Sequence, residues 1–163
     1  MTLAARLGHP HVDADDLFWL PGDPPFTTQR PKAERQALLH RLLPTDGQWV
    51  FTGSAPTWAT RLEPFYDLVI FLRLDTAVRL ERLRRRQATR YGKRIEAGGD
   101  MAAANVEFLK WAEAYDVAGP EQRSLIGHEA WLASLKVRLL RLDSASPLQD
   151  LVSAVLSDLG ERP

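Results

Sequence analysis

Three carboxylates stand close together near the start of the chain, in the segment VDADD. Asp13, Asp15 and Asp16 occupy three of four consecutive positions, so their charges repel one another unless a positive group is near. A hard cation such as Mg²⁺, or the donor groups of a polar substrate, would relieve this repulsion. The alternative is that one of these residues only caps a turn before the segment LFWL. Because the cluster follows a predicted strand, we expect it to bind a ligand.

A second set of charged side chains lies on a long basic helix, predicted for residues 76–94. Four arginines are three, four and four residues apart and therefore share one helical face: Arg79, Arg82, Arg86 and Arg90. Arginine forks match phosphate oxygens bidentately, so this face suits a phosphorylated ligand. One alternative is a solvated surface helix with a Glu81–Arg85 ion pair. Another is nucleic-acid binding, although no aromatic residues interleave with the arginines.

Histidines near the acidic cluster raise the question of a transition-metal site. The segment HPHVD places His9 and His11 before Asp13, an order similar to the metal-binding strand of barrel hydrolases. Such barrels need about 250 residues, and this chain has 163, with only His40 and His128 as further histidines. We therefore interpret His9 as a loop residue and His11 as a half-buried strand residue.

The composition limits the classes of function that the chain can have. The 21 basic and 21 acidic residues balance, so no overall field attracts nucleic acid or a membrane surface, and any charge-based function must come from local clusters. The sequence has no cysteine, which excludes disulfides, thiolate zinc sites and cysteine nucleophiles. The first residues, MTLAARLG, are too short for a secretory signal peptide, and no apolar run approaches the ~20 residues of a membrane span. We expect a cytoplasmic protein.

The hydrophobic pattern predicts helices that alternate with strands. Strands are predicted for residues 9–13, 47–54, 67–74 and 136–143, and helices for residues 32–44, 76–94, 100–116, 120–135 and 146–160, after a helix tail that stops at Gly8. We expect Thr76 to begin the basic helix and Ser146 to cap the last helix. This order is typical of a three-layer α/β fold, in which helices cover both faces of a parallel sheet. Ligands in such folds bind beyond the carboxyl ends of the strands.

These segments together resemble a P-loop kinase of the adenylate-kinase-like group, which includes bacterial AAA-family ATPases and topology-modulation proteins. The matching stretches are LAARLGHPHVDADDLFWLPGDPPFTTQRP, WVFTGSAPTW, DLVIFLRLDTAVRLERLRRRQATRYG, FLKWAEAYD and VRLLRLD. The resemblance implies one nucleoside-monophosphate-kinase-like domain over residues 1–163, with a lid formed by residues 76–100. It also implies ATP and Mg²⁺ as cofactors, ATP-dependent phosphoryl transfer to a small molecule or nucleotide, and no membrane or nucleic-acid partner.

The resemblance assigns a role to particular side chains. Asp15 resembles the carboxylate that orients an acceptor hydroxyl or a metal-bound water, and Arg82 and Arg86 resemble catalytic lid arginines. Substrate-binding positions are implied for five further residues: Asp13, Asp16, Arg30, Ser54 and Arg90. Gly53 and Ser54 stand where the strand with the Walker B function ends, although the usual acidic residue is not there.

The phosphate-binding motif of that group, G-x-x-x-x-G-K-[ST], does not occur in this sequence. The segment MTLAARLG aligns with the end of the group's first helix, so we expect about twenty residues of strand and phosphate loop to precede it in a complete enzyme. In the strand order 2-3-1-4-5 the missing strand is central. We therefore expect weak or no ATP turnover from these 163 residues alone. The alternatives are a protein that binds a phosphorylated ligand without turnover and a nucleic-acid-binding protein.

Overall fold

The computed structural model describes residues 2–54 and 56–160, which form a mixed helix and strand protein. Within these ranges the strands are β1 (His11–Asp13), β2 (Val50–Thr52), β3 (Leu68–Arg73) and β4 (Arg138–Asp143). The α-helices are α1 (Leu3–Leu7), α2 (Ala14–Phe18), α3 (Lys32–Leu42), α4 (Thr76–Tyr91), α5 (Ala102–Glu113), α6 (Leu125–Ser134) and α7 (Leu148–Leu159). Short 3-10 helices occupy Thr60–Phe65, Gly92–Ile95 and Ala114–Asp116.

The four strands form two parallel pairs, β1 with β2 and β3 with β4. In the first pair His11 lies opposite Val50 and Asp13 lies opposite Thr52. All four predicted strands are present, and each is shorter than its apolar segment. In the first pair the strands are short because only three residues of β1 pair with residues of β2. The carboxyl ends of β1 and β2 therefore meet at the same edge.

The chain divides into two compact units, which we describe separately. Unit 1 contains residues 2–69 and 147–160, and unit 2 contains residues 70–146. The core of unit 1 is formed by six buried side chains: Val12, Leu17, Leu39, Leu43, Ala59 and Leu62. In unit 2 the basic helix α4 buries Leu80, Gln87 and Tyr91, which are spaced seven and four residues apart on one face. That face fixes the helix and leaves its arginines on other faces.

The helix ends confirm three expectations and correct one. Gly8 and Gly160 end α1 and α7 in the left-handed conformation, with φ of 68° and 77°. Helix α4 begins at Thr76, as expected, and Asp75 caps it, because the Asp75 carboxylate accepts hydrogen bonds from the backbone of Ala77 and Val78. The N-cap of α7 is Pro147, without a side-chain hydrogen bond, so the prediction of a Ser146 cap is wrong.

None of the helices in the described part of the chain is both long and apolar enough to cross a membrane.

Gly53 follows β2 and allows the carboxyl end of this strand to lie close to the start of α2, which follows β1. Its φ is +110°, a conformation that side chains of L-residues rarely adopt. A Cβ placed on Gly53 would lie 2.5 Å from the Cβ of Ala14, the first residue of α2. Glycine is therefore required at this position both for the backbone and for the contact with α2.

We expect Gly53→Ala to destabilise the protein by about 3 kcal/mol, because backbone strain and a steric clash add together. Gly8→Ala is the matched control in the same unit, since Gly8 also has positive φ (+68°) but no atom within 4 Å of an added Cβ. The control variant should lose only about 1 kcal/mol. Urea unfolding followed by circular dichroism measures both, and equal losses would contradict the proposed contact.

Candidate functional site

The carboxylate of Asp13 joins β1, β2 and α2. Asp13 ends β1 and caps α2, and its Oδ1 accepts a hydrogen bond of 2.9 Å from the Asp15 backbone N–H. Its Oδ2 accepts one of 3.3 Å from the Thr52 hydroxyl at the end of β2. Of the three clustered carboxylates, Asp13 is therefore the one that acts as the cap, and both of its oxygens have protein donors. The helix α2 was not predicted, because five residues are too few to show a helical period.

A chain of hydrogen bonds continues from Asp13 to His11. The Nε2 atom of His11 lies 2.9 Å from the Thr52 hydroxyl oxygen. Because that hydroxyl gives its one proton to Asp13, it accepts from His11, which must therefore carry a proton on Nε2. His11 is exposed rather than half-buried, which corrects our expectation. Sequence reasoning missed Thr52 because only the pairing of β1 with β2 brings it to this position.

Asp15 and Asp16 are exposed in the first turn of α2. The positive end of the helix backbone favours carboxylates there, although a helix of this length contributes little. Among the described residues, no side-chain hydrogen bond or ion pair occupies the Asp15 carboxylate. No group of three or more His, Asp or Glu side chains in the described ranges is placed to hold a metal ion. The cluster therefore offers two exposed carboxylates, Asp15 and Asp16, rather than a ready-made metal cage.

The Arg30 guanidinium is occupied by protein groups. Its Nε donates to the Leu17 carbonyl at 3.0 Å and its Nη2 to the Trp19 carbonyl at 3.2 Å. Its Nη1 lies 3.7 Å from a carboxylate oxygen of Glu34. Arg30 thus secures the carbonyl end of α2, and its predicted contact with a substrate anion stays a prediction. Ser54, also predicted to bind substrate, lies half-buried just after Gly53.

In unit 2 the four arginines predicted to share a face divide into two environments. Arg79 packs inward, and its guanidinium donates to the carbonyls of Leu74 (3.1 Å) and Ala112 (3.3 Å). It also contacts a carboxylate oxygen of Asp116 at 3.0 Å and stacks over the Tyr115 ring at 5.0 Å. Arg79 is therefore a structural residue that anchors the start of α4 to the end of α5 and the turn that follows.

Asp116 is the centre of this anchor. Its carboxylate accepts hydrogen bonds from Thr76 and Arg79, and Arg73 lies 3.4 Å away. Burial raises the pKa of Asp116, but the hydrogen bonds and the two positive charges lower it by more, so its pKa lies below the ordinary value. The anchor was not visible in the sequence, since Asp116 is 37 residues from Arg79.

Four of the remaining arginines of α4 form, with Thr89, an exposed surface that we call the arginine patch. It surrounds a shallow depression of about 560 Å³ and consists of Arg82, Arg85, Arg86, Thr89 and Arg90. Arg82 donates to the Ser144 carbonyl at 2.9 Å, in the turn after β4. Among the described residues, Arg82, Arg85 and Arg86 have no carboxylate partner, and the Glu81–Arg85 pair does not form. These three arginines therefore concentrate positive charge that no carboxylate in the described part of the chain neutralises.

The carboxyl ends of β3 and β4 border a second depression, of about 510 Å³. Its charged groups are matched within the protein: Arg141 makes a bidentate pair with Glu129, and Asp75 caps α4. Asp143 accepts a hydrogen bond from the Ala145 backbone at 2.8 Å. Asp75 and Asp143 lie at the carboxyl ends of β3 and β4, where we expected ligands to bind. Their carboxylates, however, accept hydrogen bonds from backbone N–H groups of the protein.

The described residues form a mixed helix and strand protein with two exposed carboxylates, Asp15 and Asp16, in one unit and, in the other, an exposed surface of arginines on α4. Over 158 residues the chain is 38% identical to the uncharacterized protein YqaC of Bacillus subtilis (strain 168), a match that covers 97% of this chain and 87% of that protein. The chain therefore belongs to the same family as YqaC. No family model matches the chain. No solved structure matches it either.

The anchor at Asp116 leads to a prediction about stability and pH. Asp116→Asn should cost about 2 kcal/mol, since hydrogen bonds to a charged group are lost. A depressed native pKa stabilises the fold above the unfolded pKa of about 4 and loses this effect as the pH falls through the native value. Unfolding free energies between pH 2 and pH 7 should therefore fall less steeply on acidification in Asp116→Asn than in the wild type.

The control for that experiment is Glu129→Gln. It removes a carboxylate from an exposed pair with Arg141, which should cost less than about 1 kcal/mol. A loss at Glu129 as large as that at Asp116 would show that burial of the anchor does not matter.

Proposed function

We propose that this protein is an ATP-dependent phosphotransferase of the P-loop kinase class that acts on a small molecule or nucleotide. The observation that carries the proposal is the arginine patch. Adjacent guanidinium groups repel one another unless anions lie between them, and a triphosphate supplies oxygens in the geometry that arginine forks prefer. Catalysis of phosphoryl transfer consists mainly of positioning and charge neutralisation, and Arg82 and Arg86 supply the positive charge in this proposal.

The strand pairing supports the fold that the resemblance implies, a parallel sheet covered by helices on both faces. In the order 2-3-1-4-5 the second strand pairs with the third and the fourth pairs with the fifth. These pairs correspond to β1 with β2 and to β3 with β4. The basic helix also follows the fourth strand of that order, as a lid helix would.

In unit 1 we assign the orientation of the acceptor hydroxyl to Asp15. Its carboxylate is exposed at the carboxyl end of β1, and the capping bonds of Asp13 fix the backbone that carries it. Mg²⁺ commonly binds through one or two carboxylates together with substrate phosphates, so one accessible carboxylate fits an ion that arrives with the nucleotide. The ion would neutralise phosphate charge. A nucleotide donor also accounts for our proposal of a cytoplasmic location.

A second candidate function is the binding of a phosphorylated ligand without turnover. The absence of G-x-x-x-x-G-K-[ST] from this sequence favours it, because that loop supplies the backbone cradle for the β- and γ-phosphates. The arginine patch alone would suffice for such binding.

We expect Arg86→Ala to weaken ATP binding about tenfold, the effect of losing roughly 1.4 kcal/mol of guanidinium–phosphate interaction. Arg84→Ala is the matched control, because Arg84 lies on the same helix and is exposed but does not belong to the patch. Isothermal titration at low salt measures both. If the two variants bind ATP equally, attraction by overall charge explains the affinity and the patch is not a site.

We expect Asp15→Asn to reduce phosphoryl transfer roughly 100-fold while leaving ATP affinity unchanged, since the carboxylate acts on the acceptor. The assay is ADP release by the protein from its complete reading frame, with a panel of hydroxylated acceptors. Asp46→Asn, an exposed change elsewhere in unit 1, is the control. Binding of ATP with no transfer to any acceptor would favour the second candidate function.

A further inference from the structure

Arg35 on α3 occupies an unusual position in unit 1. Its guanidinium carbon lies 4.4 Å from the centre of the Phe18 ring and 5.7 Å from the centre of the Trp58 ring. Phe18 ends α2, which follows β1, and Trp58 lies in the segment that follows β2. The guanidinium therefore lies between the two segments that leave the carboxyl ends of a parallel strand pair, where ligands bind in α/β proteins.

No hydrogen-bond acceptor in the part of the chain that the structure describes contacts the Arg35 side chain. Its Nε atom is buried without a hydrogen-bond partner. Among the described residues, the guanidinium has no carboxylate and no carbonyl within bonding distance. Arg30 differs, because two carbonyls and Glu34 occupy its guanidinium. The Nε atom of Arg79 is also buried without a partner, but the other guanidinium nitrogens of Arg79 donate to protein acceptors, which those of Arg35 do not within the described ranges. A buried donor without a partner is costly, and a bound anion would remove this cost at Arg35.

The two aromatic rings prepare Arg35 for one kind of ligand. The rings attract the positive charge of the guanidinium but offer it no oxygen acceptor, so its N–H groups remain for a ligand. The backbone that carries each ring is held in place: Gln36 donates to the Trp58 carbonyl at 2.6 Å, and the Arg30 backbone N–H donates to the Phe18 carbonyl at 2.8 Å. A guanidinium without acceptors in the protein is matched by a carboxylate or a phosphate, which accept two parallel hydrogen bonds.

We propose that Arg35 binds the anionic group of a small hydroxylated anion, a phosphate monoester or a hydroxy acid. Asp15 and Phe18 are three residues apart in α2 and share a face, so the ligand's anionic end and its hydroxyl can address Arg35 and Asp15 together. This inference rests on the proposed function, because it identifies the chemical class of the acceptor. Nothing in the sequence distinguished Arg35 from Arg30, which had been the expected anion contact.

The test is titration of the wild type and two variants with glycerol 3-phosphate, glycerate and, as the neutral probe, glycerol. Tryptophan fluorescence reports binding because Trp58 contacts Arg35, and isothermal titration gives the affinity. We expect saturable binding of at least one anion, none of glycerol, and at least tenfold weaker binding in Arg35→Gln. Arg41→Gln, an equal change of charge at an exposed position of α3, should bind like the wild type.

The two anions separate phosphate recognition from carboxylate recognition. If Arg35→Gln does not fold, the ¹H–¹⁵N signal of the Arg35 Nε group in the wild type provides the test, since a bound oxyanion shifts it and glycerol does not. Absence of binding by both anions, or equal weakening in Arg35→Gln and Arg41→Gln, overturns the proposal. Anion binding at Arg35 without ATP binding at the arginine patch supports it while refuting the proposed function. Phosphoryl transfer to glycerol but to neither anion supports the proposed function and overturns the proposal for Arg35.

Discussion

Both units depend on one constraint, which is whether the guanidinium groups of their arginines find hydrogen-bond acceptors within the protein. A guanidinium carries a fixed charge and five donors, so it either finds acceptors in the protein or remains available to a ligand. Arg30 and Arg79 find carbonyls and carboxylates, and each of them anchors one helix. Arg35 and Arg86 do not find such partners among the described residues. The first group stabilises the structure, and the second group is left with unused binding capacity.

The same division explains why a helix as basic as α4 is tolerable. Buried Leu80 and Tyr91 hold one face of the helix, and the Arg79–Asp116 anchor holds its start. These contacts offset the repulsion along the rest of the helix without neutralising it. A helix held in this way presents Arg82 and Arg86 at defined positions, which a merely solvated charged helix would not do.

Local patterns predicted the elements well and their contacts poorly. The apolar run LVIFLR gives β3, and the glycines after α1 and α7 end those helices, because each signal lies within a few residues of its effect. The partners of Arg79 and Asp13 could not be predicted, since Asp116 is 37 residues away and Thr52 is 39 residues away. Those partners depend on strand pairing and helix packing, which spacing in the sequence does not encode.

Arg30 and Arg35, two of the arginines of unit 1, show this limit most sharply. They are five residues apart and both partly buried, and, of the two, the resemblance suggested an anion contact only for Arg30. The chain turns so that the carbonyls at the end of α2 reach Arg30, while Arg35 meets only the rings of Phe18 and Trp58. The carbonyls at the end of α2 therefore accept hydrogen bonds from Arg30 and not from Arg35. The anion site that we propose in this unit is therefore at Arg35, because protein groups already occupy the hydrogen-bond donors of Arg30.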